Sequence, residues 1–166
     1  MLSSLNNPRS ALVDESLVAE ALKIARPAIA NILNHSERSP DARFVYVVVL
    51  NPVVAGDMLY EDFFGEGGGS PERRKKRYDL IARSKARIAQ RTGLDTGNVV
   101  ACSPALLLSE ETLFEGGVNV GGVPVGVSGV ESFLDEAIAR VIASVINGLA
   151  KQRLEQYRSQ KVAFLP

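Results

Sequence analysis

The 166-residue chain has no tryptophan, one cysteine, one histidine and two methionines. A lone cysteine, Cys102, cannot close an intrachain disulfide, so nothing here asks for an oxidising compartment and cytoplasm is the expected location. His35 is the single imidazole, which excludes by count a zinc site of three protein histidines or an iron site of two. Net charge is missing as well. Nineteen basic and nineteen acidic side chains cancel, leaving no global field to recruit nucleic acid or an anionic membrane surface. The apolar run Phe44 to Leu50 falls far short of the roughly 20 residues that cross a bilayer. The opening MLSSLNNPRS lacks the basic-then-apolar order of a secretory signal, so none is expected. No G-x-S-x-G elbow, no P-loop and no G-x-G-x-x-G opening a helix after a strand is present, which removes the common nucleophile and nucleotide motifs.

What is present is an ordinary globular composition, 46% hydrophobic and 23% charged, on a chain of one-domain length. Leu17, Ala21, Ile24, Ala28 and Ile32 recur at helical spacing behind Asp14, a side chain that can accept from a free first-turn amide. Pro27 inside that pattern is expected to kink the helix. RFVYVVVL reads as a central strand because it is apolar on both faces. NPVVAGD then reads as a turn or bulge and MLYEDFF as a second strand. GEGGGSP, Gly65 to Pro71, is expected to be a mobile surface loop over 65–70. Tyr78, Ile81, Ala82, Lys85, Ile88 and Ala89 mark a second helix, capped at Gly93. NVVACSPALLLSEETLF is expected to begin as a strand, with Cys102 a small buried residue. Two short Gly-rich strands follow, and Ser128 with Glu131 reads as a capping box before a long last helix built on Leu134, Ile138, Val141, Val145 and Leu149. Strand pairs separated by helices give an α+β fold: a single domain over 1–166, its sheet mostly antiparallel. The apolar last helix and the tail VAFLP are expected to drive assembly into homo-oligomers.

LFEGGVNVGGVPVGVSG followed by ESFLDEAIARV resembles the closing segment of the GlcG/HbpS-like haem-binding family. The resemblance rests on Phe114, Gly116 and Gly117, on the turn Gly126 to Gly129, and on Asp135 and Glu136. IARSKARIA, Ile81 to Ala89, is similar to that family's middle helix. The sequence departs from the family at NPVVAGD, at Glu115 and in the insertion GGGSPERRKKR. The resemblance implies a central antiparallel sheet flanked by helices, a profilin-like α/β sandwich, in a homo-oligomer. It also implies a small-molecule ligand, which for some members is haem; here haem or another planar anionic molecule is the expected ligand.

Candidate site residues divide by chemistry. Backbone near Gly116, Gly117, Gly126, Ser128 and Gly129 can meet a flat or anionic ligand, or the same glycines can serve only close packing of helix on sheet. Lys85 and Arg87 are the cations expected to assist at that turn. Tyr46, Tyr60 and Glu61 are further proton donors and anchors. His35 is the candidate metal ligand, its alternative an exposed loop histidine. The basic run RRKKR, Arg73 to Arg77, either helps to bind an anion beside the glycine loop or is a solvated surface. Two classes of function follow. One is a binding module for haem or a similar planar anion. The other is a cofactor-independent lyase, isomerase or hydrolase acting on a small carboxylated metabolite.

Overall fold

A computed structural model of the chain describes residues 10–65 and 76–165. The expected mobile loop, apart from Gly65, and residues 73–75 of the basic run lie outside the described residues. Helix α1 spans Glu15–Asn34 and starts as expected: Asp14 Oδ1 accepts from the Leu17 amide at 2.8 Å, satisfying one free first-turn donor. It continues through Pro27 as one helix. Strand β1, Phe44–Leu50, is buried at every position, which is why its residues are apolar on both faces. β2, Met58–Gly65, pairs antiparallel with it from Phe44 opposite Gly65 to Val49 opposite Tyr60. The register then slips between Val49 and Leu50, where the turn beginning at Asn51 leaves the sheet.

β3, Gly117–Val120, and β4, Val123–Ser128, form a hairpin across Gly121 and Gly122. Both turn residues have positive φ, 59° and 87°, as a two-residue hairpin requires for its twist to match the strands. β4 lies antiparallel to β1, so the four-stranded order is β2-β1-β4-β3 and the sheet is antiparallel throughout. The expected fold class is thus the observed one.

Alternation along the strands then sends side chains to two layers. Val45, Val47, Val49, Val125 and Val127 face α1 and the last helix, α4, Ser132–Ser159. Ile138, Ile142 and Ile146 of α4 are fully buried in this layer, each side chain contributing about 1.5–3 kcal/mol of transfer free energy. The apolar face of α4 is therefore covered within the chain by α1 and the sheet. Tyr46, Val48 and Leu50 face the other layer, where Ala82 and Ala86 of α2, Tyr78–Thr92, rest on the sheet. No helix among the described residues is long and apolar enough to cross a membrane.

Three local expectations fail. The strand expected at NVVAC is a short helix, α3, Thr96–Cys102, behind Asp95. Its buried residues, Thr96 and Val99, are three apart and so share one helical face, which overrides the β preference of paired valines. Cys102 is consequently exposed at the end of that helix. Ser128 is the last residue of β4, not a helix cap. Glu131 occupies the cap position of α4, and its carboxylate accepts from Ser36 Oγ at 3.2 Å.

Candidate functional site

The glycines of β3 and β4 explain how closely α2 approaches the sheet. A Cβ at Gly126 would meet the Ala86 amide nitrogen at 2.6 Å as well as the Ala82 carbonyl oxygen, and one at Gly117 would meet the Lys85 carbonyl oxygen at 2.5 Å. Backbone therefore rests on backbone. Gly116 serves a different neighbour: a Cβ there would lie 2.8 Å from Lys85 Nζ, so its absence leaves space for an ammonium group inside the fold.

That ammonium is the centre of the site. Lys85 lies on the sheet-facing side of α2, between Ala82 and Ala89, and its side chain is 1% exposed. It donates to Asp135 Oδ2 at 3.0 Å and to the Val127 carbonyl at 2.7 Å. Asp135, in the first turn of α4 and 3% exposed, also accepts the Val130 amide on Oδ1 at 3.1 Å. Two elements distant in sequence are thus pinned by one buried, hydrogen-bonded ion pair. Burial pushes the Asp135 carboxyl up to about 6, against the pull of Lys85, and the same burial lowers Lys85.

Above the pair opens a cavity of about 270 Å³ lined by Arg38, Tyr78, Phe114, Ser128, Gly129 and Glu131, among others. Lys85 and Asp135 form its floor. Arg38 comes from the segment after α1, and among the described residues its guanidinium makes long contacts of 3.4 Å, to the Tyr78 hydroxyl and the Val130 carbonyl. Burial raises Glu131, but its own backbone amide, the Ser36 hydroxyl and Arg38 outweigh that and hold it below the usual range. The charged lining at neutral pH is therefore Arg38 and Lys85 against Glu131 and Asp135. A carboxyl-detected NMR titration should show Asp135 changing near pH 6, while Glu61, Asp79 and Glu131 titrate below their ordinary values. A midpoint for Asp135 below 4 would contradict the enclosed pair.

The other expected site residues disperse. Tyr46 and Glu61 sit together on the α2 side of the sheet, the Tyr46 hydroxyl donating to Glu61 Oε2 at 2.9 Å and Arg83 Nε donating to the same oxygen at 2.8 Å. Burial, with Glu61 beside it, pushes Tyr46 up to about 12, so it keeps its proton. Arg83 continues to Asp79 at 3.2 Å, making a satisfied network that braces α2. Tyr60 packs against the other layer, next to the α1 side of the core. Arg87 is exposed, about 200° around α2 from Lys85 at two residues' spacing. His35 is the exposed C-cap of α1, and no group of three or more His, Cys, Asp or Glu side chains able to hold a metal occurs among the described residues. So Lys85, Ser128 and Gly129 converge on the cavity, while Gly116, Gly117 and Gly126 make room for its framework. Arg38, Tyr78, Glu131 and Asp135 join them without having been singled out for a site role. Only the family-like acidic pair at Asp135 and Glu136 pointed at one of them.

No family model matches the chain, and no curated protein matches it. Among solved structures the chain is similar to that of the Klebsiella pneumoniae protein ORFY, described as DUF336, at 17% sequence identity and a TM-score of 0.56. The likeness covers 89% of this chain and 97% of that one. At that identity it is a likeness of fold, the α+β arrangement of helices about one antiparallel sheet.

Proposed function

We propose that this is a small-molecule-binding protein of the GlcG/HbpS-like type, and that its ligand is a small carboxylate held in the cavity between α2 and the start of α4. The observation that carries the reading is the convergence of Arg38, Lys85, Ser128 and the first turn of α4 on one cavity floored by a buried ion pair. The DUF336 neighbour supports the family, whose GlcG-like members share this fold. Arg38 supplies the ligand's counter-charge, since among the described residues its guanidinium is held by long contacts alone. Phe114, 57% exposed on the rim, supplies an apolar wall. Assembly into homo-oligomers belongs to the same reading and is supported by exposed Leu113, Phe114 and Phe133.

Haem fits this cavity poorly. At about 270 Å³ the space is at the lower edge of the roughly 300–1,000 Å³ of small-molecule sites, and among the described residues that line it Tyr78 alone is of a type that ligates haem iron, its hydroxyl already engaged by Arg38. The ligand class proposed is accordingly smaller than a tetrapyrrole. Calorimetric titration with small mono- and dicarboxylates tests it: Arg38→Gln should weaken the best binder by about 10- to 100-fold, the loss of a charge-assisted contact. Affinity should also rise as pH falls through about 6, because protonating Asp135 turns a neutral lining into a cationic one. A Soret band formed by added haem, unaffected by Arg38→Gln, would overturn the carboxylate reading.

One observation favours the alternative class, a cofactor-independent lyase, isomerase or hydrolase. Asp135 near 6 beside a lowered Lys85 at a cavity floor is an acid and base placed for proton transfer at neutral pH. Turnover of a bound carboxylate, with a pH profile governed by that pair, would identify an enzyme.

A further inference from the structure

A second cavity, of about 590 Å³, opens on the outer face of α2, away from Lys85. One wall is the turn between β1 and β2, with Pro52, Val53 and Ala55; the other carries Leu108. Both walls are tied to the helix. Gln90 Nε2 donates to the Asn51 and Val54 carbonyls at 2.7 and 3.0 Å, and its Oε1 accepts from the Gly56 amide at 2.9 Å. Arg91 Nη2 holds both oxygens of Glu111 at 2.8 and 2.7 Å, and Glu111 Oε2 in turn accepts from the Leu108 amide at 2.8 Å. The cleft is therefore built in advance of any ligand, which removes the ordering cost that weakens binding to loose loops.

Arg87, Gln90 and Arg91 stand at i, i+3 and i+4 and share one helical face. Gln90 and Arg91 are committed to the walls. Arg87 has no hydrogen bond or ion pair among the described residues. Beside it Val53 and Leu108 are 56% and 59% exposed, apolar surface with nothing on it among the described residues. Arg91 and Glu111 cancel, so the cleft offers one net positive charge against apolar walls.

We propose that this cleft is a second, independent binding site that takes a small monocarboxylate with an apolar body. The carboxylate lies on the Arg87 guanidinium, whose planar fork matches it bidentately, and the apolar part lies between Val53 and Leu108. A dianionic phosphate is disfavoured because Arg87 is the single uncommitted cation among the described lining residues. The site does not depend on the α2–α4 cavity.

Heteronuclear NMR titration of the full chain with hexanoate, against the neutral isostere hexanamide, tests this. Saturable shifts are expected at Gly56, Arg87 and Leu108, with hexanamide at least about tenfold weaker. Arg87→Gln should weaken hexanoate about tenfold, with Arg87→Lys retaining part of the affinity, and Leu108→Ser should weaken both ligands. Arg87 is exposed, so the fold survives its replacement and unchanged circular dichroism confirms that. Equal affinity for acid and amide, an unaltered affinity in Arg87→Gln, shifts clustered at Ser128 and Asp135, or no saturable shift at all would each overturn the proposal.

Discussion

Replacing Lys85 with methionine should lower the stability of the fold by about 3–5 kcal/mol. Methionine matches the lysine stem in length and polarity of packing, so the loss comes from the ammonium. Without it, Asp135, 3% exposed in the parent fold, keeps the backbone amides of Val130 and Gly129 as its charge-stabilising contacts. Breaking a buried pair in this way leaves an uncompensated charge, which costs more than the pair itself contributes. For a chain of this size each kcal/mol is worth roughly 2–4 °C, so the melting temperature should fall by about 10 °C. The pH dependence identifies the cause. Asp135 has its folded pKa raised from 3.8 to about 6 even with Lys85 present, so its protonated form is the one that the fold favours. Stability linked to that group is complete below about pH 4 and is lost as pH rises through the folded value, which lies higher still without Lys85. The gap between Lys85→Met and the parent protein should therefore narrow on acidification. Adding Asp135→Asn, which removes the charge but keeps an acceptor for Val130, should recover most of the loss at neutral pH. An unchanged melting temperature in Lys85→Met would show that the pair is not enclosed.

The sequence reading makes Lys85 a cation assisting a ligand at the turn from Gly126 to Gly129; the structure buries it against Asp135 as well. Lysine is seldom fully buried, and its partner lies fifty residues further along. The signal was nevertheless present: Lys85 occupies an apolar position in the helical period of Ala82, Ala86 and Ala89. Elements with a strong period were legible. β1, the β3–β4 hairpin, α1 behind Asp14 and the end of α2 at Gly93 all follow from local chemistry. α3 was not, because two valines in a seven-residue segment favour a strand locally, while the contact that decides the matter, Val99 into the core, is tertiary. Arg38 and Glu131 were equally invisible as site groups. Each sits in a connection between elements, and only the packing of α1 and α4 on one layer brings those connections together. Arg87 illustrates the opposite error: two residues from Lys85 in sequence, it faces a different cavity because a helix turns by about 200° over that step.

Gly126→Ala decides between the two reasons a Gly-rich strand pair can have. Gly126 lies within β4 with no positive φ, so alanine suits its backbone and space alone determines the outcome. The added methyl would lie 2.6 Å from the Ala86 nitrogen and 3.0 Å from its Cβ, and would press on the Ala82 carbonyl as well. The nitrogen and the carbonyl are backbone atoms of a helix and the Ala86 Cβ is fixed to that backbone, so none can rotate aside as a longer side chain can. α2 must lift off the sheet, taking Lys85 away from Asp135. The loss should reach at least about 3 kcal/mol, the upper end of what overpacking a core costs. Gly148→Ala in the exposed part of α4 is the internal comparison, since a Cβ there meets nothing within 4 Å and alanine should stabilise the helix by about 0.5–1 kcal/mol. Urea unfolding of the two variants reads both effects. Were Gly126 present to admit a ligand, Gly126→Ala would keep the parent stability and lose affinity for carboxylates; a variant that instead unfolds early, while Gly148→Ala unfolds late, places the glycine under α2 as the bearing on which the buried ion pair is assembled.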